Sequence, residues 1–187
     1  MRYDRQAMQE AIDIREAEFD EAAAIARVQV ETWRAAYREI MSSRILEGLN
    51  EVRVAAFWAQ VLSQDEGRSF ILVATVGERV IAFASCGPRQ NARAASEGEV
   101  YALYVVETMQ KQGIGQRLVE ASFARLAELG MTSARIWTLR DNRAARLFYE
   151  RLGGLLAGEG STDIGGESYV EVAYDWPDLR RRLKPKM

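Results

Sequence analysis

The segment from Glu99 to Val106 is apolar or aromatic at nearly every position, so both faces of a strand built from it would avoid water. A strand of this composition is typical of the centre of a sheet that is covered on both sides. The chain has 187 residues, enough for one compact domain in which helices cover such a sheet. We therefore predict a central strand at this position, with the other elements assembled around it.

Changes in the spacing of apolar residues predict which elements surround this strand. Spacings of three and four indicate helices, whereas alternation and β-rich composition indicate strands. In chain order the predicted elements are a strand at 12–15, helices at 20–37 and 51–62, hairpin strands at 70–76 and 80–85, a loop at 89–98, the central strand, a helix from about 113 with Gly130 as its C-cap, a strand at 135–139, a helix at 142–152, and one or two final strands that include 169–174. This order predicts an α/β fold of the α+β type, a mixed sheet with helices packed on it.

The order of the predicted elements also predicts the domain organisation of the chain. We expect an N-terminal extension at 1–11, a single domain at 12–176 and a basic C-terminal tail at 177–187. The sequence contains neither a signal-peptide pattern nor an apolar run long enough to cross a membrane. We therefore expect a cytoplasmic protein.

Composition excludes several kinds of chemistry. The chain has no histidine, which removes Ser-His-Asp and Cys-His hydrolases and most histidine-ligated zinc sites, and we expect no metal. Its single cysteine, Cys86, lies in apolar, β-rich sequence and is expected to be a buried strand thiol. The net charge of -2 gives no basic surplus for nucleic acid or for an anionic membrane. Small molecules or proteins are the favoured partners, and the sequence also permits a homodimer.

The segment Gln110-Lys111-Gln112-Gly113-Ile114-Gly115 connects the central strand to the next helix. The first amides of a helix lack intrahelical partners and carry partial positive charge, so they can bind a phosphate. Glycines allow an anion to approach the backbone closely, and Lys111 and Arg117 could add charge. The alternative is an ordinary strand-to-helix turn, in which these two cations are solvated.

Three segments together resemble one known family. They are Ala102-Leu103-Tyr104-Val105, then Gln110-x-x-Gly113-x-Gly115, then Asn142-x-x-Ala145-x-x-Phe148-Tyr149-Glu150-x-Leu152-Gly153. Their order and spacing resemble the GCN5-related N-acetyltransferase (GNAT) family, and the resemblance extends over about residues 12–176. The chain departs from the family at Glu107, where a proline is common, and at Gly154, where an aromatic residue is common.

The resemblance implies a central mixed sheet of about seven strands flanked by about four helices, and acetyl-CoA as cosubstrate. It implies that the loop backbone binds the CoA pyrophosphate, that the end of the central strand pairs with the pantetheine arm, and that Asn142 contacts that arm. The cofactor-binding residues implied in this way are Leu103, Tyr104, Val105, Gln110, Lys111, Gln112, Gly113, Ile114, Gly115, Gln116, Asn142 and Tyr149.

Acetylation of an amine requires a neutral amine, a stabilised oxyanion and a proton for the departing thiolate. Glu99 is the candidate base, because it opens an apolar strand in which desolvation would raise its pKa. It also stands eleven residues before Gln110, the spacing of the catalytic glutamate in the histone-acetylating branch of the family. A solvated carboxylate at a strand end is the alternative.

Tyr149 matches the family tyrosine that protonates the thiolate, and a phenol with a pKa of about 10 keeps its proton at neutral pH. Asn142 lies seven residues earlier, nearly two helical turns, so both side chains project from one side of the helix. The alternatives are structural. Asn142 would serve as a helix N-cap and Tyr149 as a core residue.

In this family the first two helices border the acceptor pocket, and the corresponding candidates here are Glu31, Trp33 and Tyr37, together with Tyr101. Trp33 and Tyr37 are four residues apart and would also suit a helix–core contact. The sequence does not name the acceptor, but a short chain without an extra recognition domain favours a small primary amine, such as a polyamine or an amino acid. A protein N-terminus or lysine is an alternative, and so is an acetyl-CoA-binding regulatory module without turnover.

Overall fold

The computed structural model describes residues 12–64, 67–90, 94 and 97–182. The elements are β1 (Ile12–Glu16), α1 (Ala22–Ala36), α2 (Ser43–Glu47), α3 (Glu51–Ser63), β2 (Phe70–Val76), β3 (Arg79–Pro88), β4 (Glu97–Val105), α4 (Ile114–Glu128), β5 (Ser133–Leu139), α5 (Arg143–Arg151), β6 (Leu155–Ile164), β7 (Glu167–Trp176) and α6 (Leu179–Arg182), with single 3-10 turns at Phe19–Glu21 and Glu107–Met109. The predicted extension at 1–11 and the last five residues of the predicted tail lie outside the described residues.

The seven strands form one sheet in the order β1-β2-β3-β4-β5-β7-β6. Every neighbouring pair is antiparallel except β4 and β5, which are parallel. A parallel pair needs a crossover connection, and α4 provides it. The mixed sheet and the four long helices confirm the predicted fold class.

The parallel pair is joined at one end only. Glu97 to Val100 of β4 pair with Ser133 to Ile136 of β5, and no pairing follows beyond these residues although both strands continue. β4 runs on to Val105 beside β3, with a register shift at Ser85/Cys86. The second halves of β4 and β5 therefore separate and leave a gap in the middle of the sheet.

Helices cover both faces of the sheet on either side of this gap. Tyr104 points to the side of α1, where its ring meets Trp33 and Phe83. Its neighbour Val105 points to the other side, where it approaches Gly115 of α4. Successive strand residues face opposite ways, so α1 and α4 lie on opposite faces of the sheet.

The described core agrees with the predicted burial. β3 is buried over eight consecutive residues, as expected between two helical layers, and Cys86 within it is fully buried. The buried position of Cys86 in β3 is the one predicted, and burial raises the pKa of its thiol to about 12. α4 ends as predicted, because Gly130 has a φ of 86° and the amide of Met131 donates to Leu126 at 2.9 Å. No helix in the described part of the chain is long and apolar enough to cross a membrane.

Three features differ from the sequence prediction. β4 begins at Glu97, two residues earlier than expected, because Glu97 and Gly98 pair with Ser133 and Ala134. The sequence did not predict α2, and it left open whether β6 exists. The packed domain also continues past 176, since Leu179 of α6 is fully buried.

Candidate active site

The turn before α4 has the geometry expected of an anion site. Gly113 is the N-cap residue of α4 with a φ of 83°, and it offers no side chain to cap the helix. A Cβ at Gly113 would meet no described atom within 4 Å, so this end of the helix faces open space. The amides of Ile114, Gly115 and Gln116 occupy the first helical positions, where backbone N–H groups have no intrahelical acceptor.

The loop that leads into this turn is fixed to the end of β4. The side-chain amide of Gln110 donates to the carbonyl of Val105 at 2.9 Å. Lys111 has a φ of 60°, an unusual backbone conformation for a residue with a side chain. Arg117 does not reach back to the loop, because its guanidinium donates to the carbonyl of Ile12 at 2.9 Å. Of the two cations expected to add charge at the loop, only Lys111 belongs to it.

A cleft of about 1260 Å³ begins at this turn and passes through the gap between β4 and β5. Its lining includes Tyr37 on the α1 side of the sheet and Phe148 on the α4 side. The predicted site residues in its lining are Tyr37, Tyr101, Leu103, Tyr104, Val105, Gln110, Lys111, Gly113, Gly115, Gln116, Asn142 and Tyr149. The lining of this cleft thus comes from both faces of the sheet.

Helix α5 brings two of these residues into the cleft. Asn142 is its N-cap, and the side-chain oxygen accepts from the amide of Ala145 at 3.1 Å. Tyr149 is 6% exposed and packs against Phe148, Tyr174 and Trp176. The predicted capping and core contacts are therefore both present, and the two residues nevertheless line the cleft.

Tyrosines from three elements meet where the cleft crosses the sheet. Burial raises the pKa of Tyr37, of Tyr104 and of Tyr149, and repulsion from the ionised form of Tyr37 would raise the pKa of the latter two further. A side-chain hydrogen bond from Asn142 lowers the pKa of Tyr37 in partial opposition. All three phenols therefore keep their protons at neutral pH and can act as hydrogen-bond donors.

The backbone of Val105 adds a donor on the same side. The amide of Val106 donates to Ile81 of β3 at 3.0 Å. Successive amides of an extended strand point in opposite directions, so the amide of Val105 is directed away from β3, towards the gap. An N–H group in this position suits an oxyanion that forms in the gap.

Glu99 lies beside the cleft rather than in its lining, at the closed end of the β4–β5 pair. Desolvation by burial raises the pKa of Glu99. The backbone of Gln90 and the charges of Arg89 and Arg135 lower this pKa in part, while the negative charge of Glu171 raises it further. Burial therefore outweighs the neighbouring cations, and the pKa of Glu99 is raised overall.

Four more of the predicted residues lie outside the cleft lining. Glu31 is on the exposed side of α1 and is 3.5 Å from Arg27 in an ion pair. Trp33 packs edge-on between Tyr37 and Tyr104, as the structural alternative expected. Ile114 is buried, so that only its backbone faces the turn, and Gln112 donates to Thr108 within the loop at 3.3 Å.

Sequence reasoning missed Trp137, which lines the cleft from β5 on the same face as Tyr37. Its neighbours in alternation, Arg135 and Leu139, face the same way, and Leu139 packs in one cluster with Trp33 and Tyr37. The sequence identified the β5 segment as a strand. Which of its residues face the gap depends on the pairing with β4 and β7, and no local pattern gives that register.

Comparison with known proteins gives the class of protein to which this chain belongs. The model of the acetyltransferase (GNAT) family matches residues 25–154. The uncharacterized N-acetyltransferase YuaI of Bacillus subtilis is 30% identical over 174 residues, which are 90% of this chain and 94% of YuaI.

Solved structures share the fold. The PaiA N-acetyltransferase of Thermoplasma acidophilum in complex with coenzyme A superposes with a TM-score of 0.69 at 20% identity, covering 86% of this chain and 97% of that one. YncA of Salmonella typhimurium with acetyl-CoA gives 0.64 at 16% identity, covering 94% and 98%.

The family match therefore defines an acetyltransferase, on a fold with a cleft next to a split sheet. The chain belongs to the GNAT acetyltransferase family. It is an N-acetyltransferase that uses acetyl-CoA as its acetyl donor.

Proposed function

We propose that this enzyme transfers the acetyl group to the primary amine of a small molecule, by direct attack of the amine on the thioester while both substrates are bound. The observation that carries the proposal is the cleft that crosses the sheet between β4 and β5. Such a cleft lets the donor enter from the α4 face and the amine from the α1 face. The two reacting groups would meet in the gap, next to the tyrosines.

The residues on the α4 face fit the donor. The uncapped amides of Ile114, Gly115 and Gln116 match a pyrophosphate, and Gly113 leaves the approach open. The free edge of β4 beyond Val100 offers backbone groups to the amides of a pantetheine arm. Acetyl-CoA supplies a thioester carbonyl that the amine attacks and a thiolate that leaves.

Tyr149 is our candidate acid for the leaving thiolate. It lines the cleft from the α4 side, and its raised pKa means that it is protonated throughout the neutral range. As the carbon–sulfur bond breaks, negative charge grows on sulfur and the phenol donates its proton. The amide of Val105 would stabilise the oxyanion that precedes this step.

Glu99 is our candidate base. A lysine-like amine with a pKa of about 10.4 is neutral in only about one molecule in 10³ to 10⁴ at neutral pH, so its ammonium proton must be removed. The raised pKa of Glu99 brings its carboxylate closer to the useful range. Because Glu99 lies beside the lining, we propose that it receives the proton through a water.

The α1 face of the cleft favours a small acceptor over a polypeptide. The segment after α1 is tied to the β6–β7 turn, where Ser42 and Arg44 donate to Glu167 at 2.7 and 2.8 Å. Arg44 also donates to the carbonyl of Gly165 at 2.9 Å. These contacts close one end of the sheet face on which Tyr37 and Trp137 lie, and a wall of this kind limits the room for an extended chain.

Thiol release from acetyl-CoA in the presence of a panel of amines tests the proposal. We expect release that depends on a small amine, and thermal stabilisation by acetyl-CoA alone, which at 100 times its Kd is worth about 2.7 kcal/mol. Stabilisation without release for any amine would support the non-catalytic alternative. Release with peptides alone would support a protein acceptor.

A further inference from the structure

Three residues on neighbouring strands leave a small space on the α1 face of the sheet. They are Trp137 of β5, Glu171 of β7 and Gly160 of β6, which pairs with Glu171. A Cβ added to Gly160 would lie 3.5 Å from a carboxylate oxygen of Glu171 and 3.5 Å from Cζ3 of Trp137. The indole edge and the carboxylate therefore flank one point, and the missing side chain keeps that point open.

This face is the acceptor face. Trp137 lines the cleft, and Leu139 and Tyr169, which alternate with Trp137 and Glu171 along their strands, pack with Tyr37. α1 packs over β3 and β4, with α3 against it, and α2 covers the end of the β5–β7–β6 part where Ile45 packs with Leu139 and Tyr169. Trp137 thus borders both the cleft and the space beside Gly160.

Glu171 forms no ion pair with a basic side chain among the described residues, unlike Glu97, Asp175 and Glu167. Glu97 pairs with Arg89 at 2.7 Å and Asp175 pairs with Arg135 at 2.6 Å. At the edges of the same region, Glu167 pairs with Arg44 at 2.8 Å. Desolvation is the cause of the raised pKa of Glu171, and no cation opposes it. A half-buried carboxylate in this condition gains when a cation binds next to it.

We propose that Trp137, Gly160 and Glu171 form a subsite for a second cationic group of the acceptor, so that the preferred substrate is a diamine or a longer polyamine. This inference rests on the proposed function. One nitrogen would be acetylated in the gap, and the other would be held as an ammonium by the carboxylate of Glu171 and the indole of Trp137. A carboxylate forms a charge-assisted hydrogen bond with an alkylammonium ion, and the indole offers an apolar surface to the methylene chain that carries it.

The surrounding charges support this substrate class over an amino acid. The guanidinium of Arg135 lies 5.4 Å from the centre of the Trp137 ring, but its charge is matched by two hydrogen bonds to Asp175. Glu99 and Glu171 are close enough for the negative charge of one to raise the pKa of the other. An acceptor that carries a carboxylate would add a negative charge to these two, whereas a second ammonium offsets them.

Matched amines test the proposal. The probes are a series of linear diamines from diaminopropane to diaminooctane, each with its monoamine of equal length, and aminobutanoate as the acidic counterpart of butylamine. We expect the best diamine to exceed its monoamine in kcat/KM by about tenfold or more, and aminobutanoate to be the poorest acceptor. Glu171→Gln should remove the advantage of the diamine, so that the diamine and its monoamine give similar kcat/KM values in the variant.

Two matched controls separate the subsite from general effects. Glu159→Gln removes a carboxylate from β6 that pairs with Arg140, and it should leave the diamine preference intact. Gly160→Val should fill the space and raise the KM for the diamine. Gly158→Val, on the same strand with no described atom within 4 Å of the added Cβ, should not.

Binding decides the proposal independently of turnover. Calorimetric titration of diamine and monoamine into the wild-type enzyme saturated with coenzyme A should show the same preference, which Glu171→Gln abolishes. Equal binding of the two amines, or an unchanged preference in Glu171→Gln, would overturn the subsite. Preferential binding without acetylation of any amine would instead keep the subsite and overturn the proposed catalytic function.

Discussion

The side-chain amide of Gln110 donates to the main-chain carbonyl of Val105 at 2.9 Å, so the first residue of the 110–115 loop is hydrogen-bonded to the last residue of β4. The hydroxyl of Thr32 donates to the same carbonyl at 3.4 Å and adds a link to α1. The 110–115 loop and α1 are therefore both hydrogen-bonded to one carbonyl oxygen at the end of β4. A change at Gln110 should disturb the donor site more than it disturbs the fold.

Replacing Gln110 with alanine removes this bond while leaving the backbone of the turn intact. We expect the free energy of unfolding to fall by about 1 kcal/mol, the usual net value of one hydrogen bond. The KM for acetyl-CoA should rise several-fold, because the amides before α4 would no longer be held in position. Gln60→Ala, on the exposed side of α3, is the control for loss of an amide side chain. An unchanged KM in Gln110→Ala would show that the turn holds its geometry without this bond.

Glycines at the two ends of α4 separate backbone strain from donor binding. Gly113 and Gly130 have φ values of 83° and 86°, and a Cβ at either position would meet no described atom within 4 Å. Alanine at each position should therefore cost a similar amount of stability, about 1 kcal/mol. Only Gly113→Ala should also raise the KM for acetyl-CoA, because only Gly113 lies at the proposed pyrophosphate site. Urea unfolding and initial rates on both variants give the comparison, and a parallel rise in KM for Gly130→Ala would argue against a local effect.

Much of the fold follows from the sequence because apolar spacing records burial. The central strand, the four long helices and the C-terminal glycine of α4 each have a local signal, and each was predicted within about two residues. β6 had no such signal. It is an edge strand, most of its residues are exposed, and Gly158 and Gly160 interrupt it, so no alternation of apolar residues marks it.

The site was predicted less completely, because part of it depends on register and on distant contacts. The 110–115 loop and α5 were predicted from local sequence motifs, and both contribute residues to the lining of the cleft. Trp137 and Glu171 come together only through the pairing of β5, β7 and β6, and this register cannot be read from the sequence.

The environment of Gly154 also depends on a contact between residues that are distant in the sequence. A Cβ there would lie 2.7 Å from Cζ2 of Trp176, so a ring from a different strand takes the space next to the backbone.

Stability should depend on the protonation of Glu99 in a defined direction. Burial raises the pKa of Glu99 in the folded protein above its value in the unfolded chain. The protonated carboxyl group therefore stabilises the folded protein fully at pH values below the unfolded-state pKa, and this stabilisation is lost as pH rises through the folded-state pKa. Glu99→Gln resembles the protonated form at every pH. The variant should therefore gain stability relative to wild type as pH increases across this window. Urea unfolding at a series of pH values measures the difference.

The same substitution tests the proposed base. In wild type we expect kcat/KM to rise with pH as Glu99 ionises, and Glu99→Gln should lower it and remove this dependence. Glu97→Gln is a matched control, because Glu97 lies on the same strand and face but forms an ion pair with Arg89. Near-normal turnover of Glu99→Gln across about pH 6 to 9 would falsify the base assignment and leave the amine to lose its proton to solvent.

Tyr149→Phe removes the proposed acid without removing the ring that packs on Phe148, Tyr174 and Trp176. We expect kcat to fall by about a hundredfold, the range for loss of a general acid, with little change in the KM for acetyl-CoA. Because the pKa of Tyr149 is raised, its phenol stays protonated in mildly alkaline solution. The kcat of the wild type should therefore not fall until the pH approaches the pKa of Tyr149.

Tyr169→Phe is the control for this variant, because its hydroxyl donates to Glu167 at 2.8 Å and the residue is not among those that line the cleft. Acetyl donors with more acidic thiols sharpen the test, since a better leaving group needs less proton donation. The deficit of Tyr149→Phe should shrink with such donors. A deficit that stays constant across donors would indicate that Tyr149 shapes the cleft, and that the thiolate leaves without its proton.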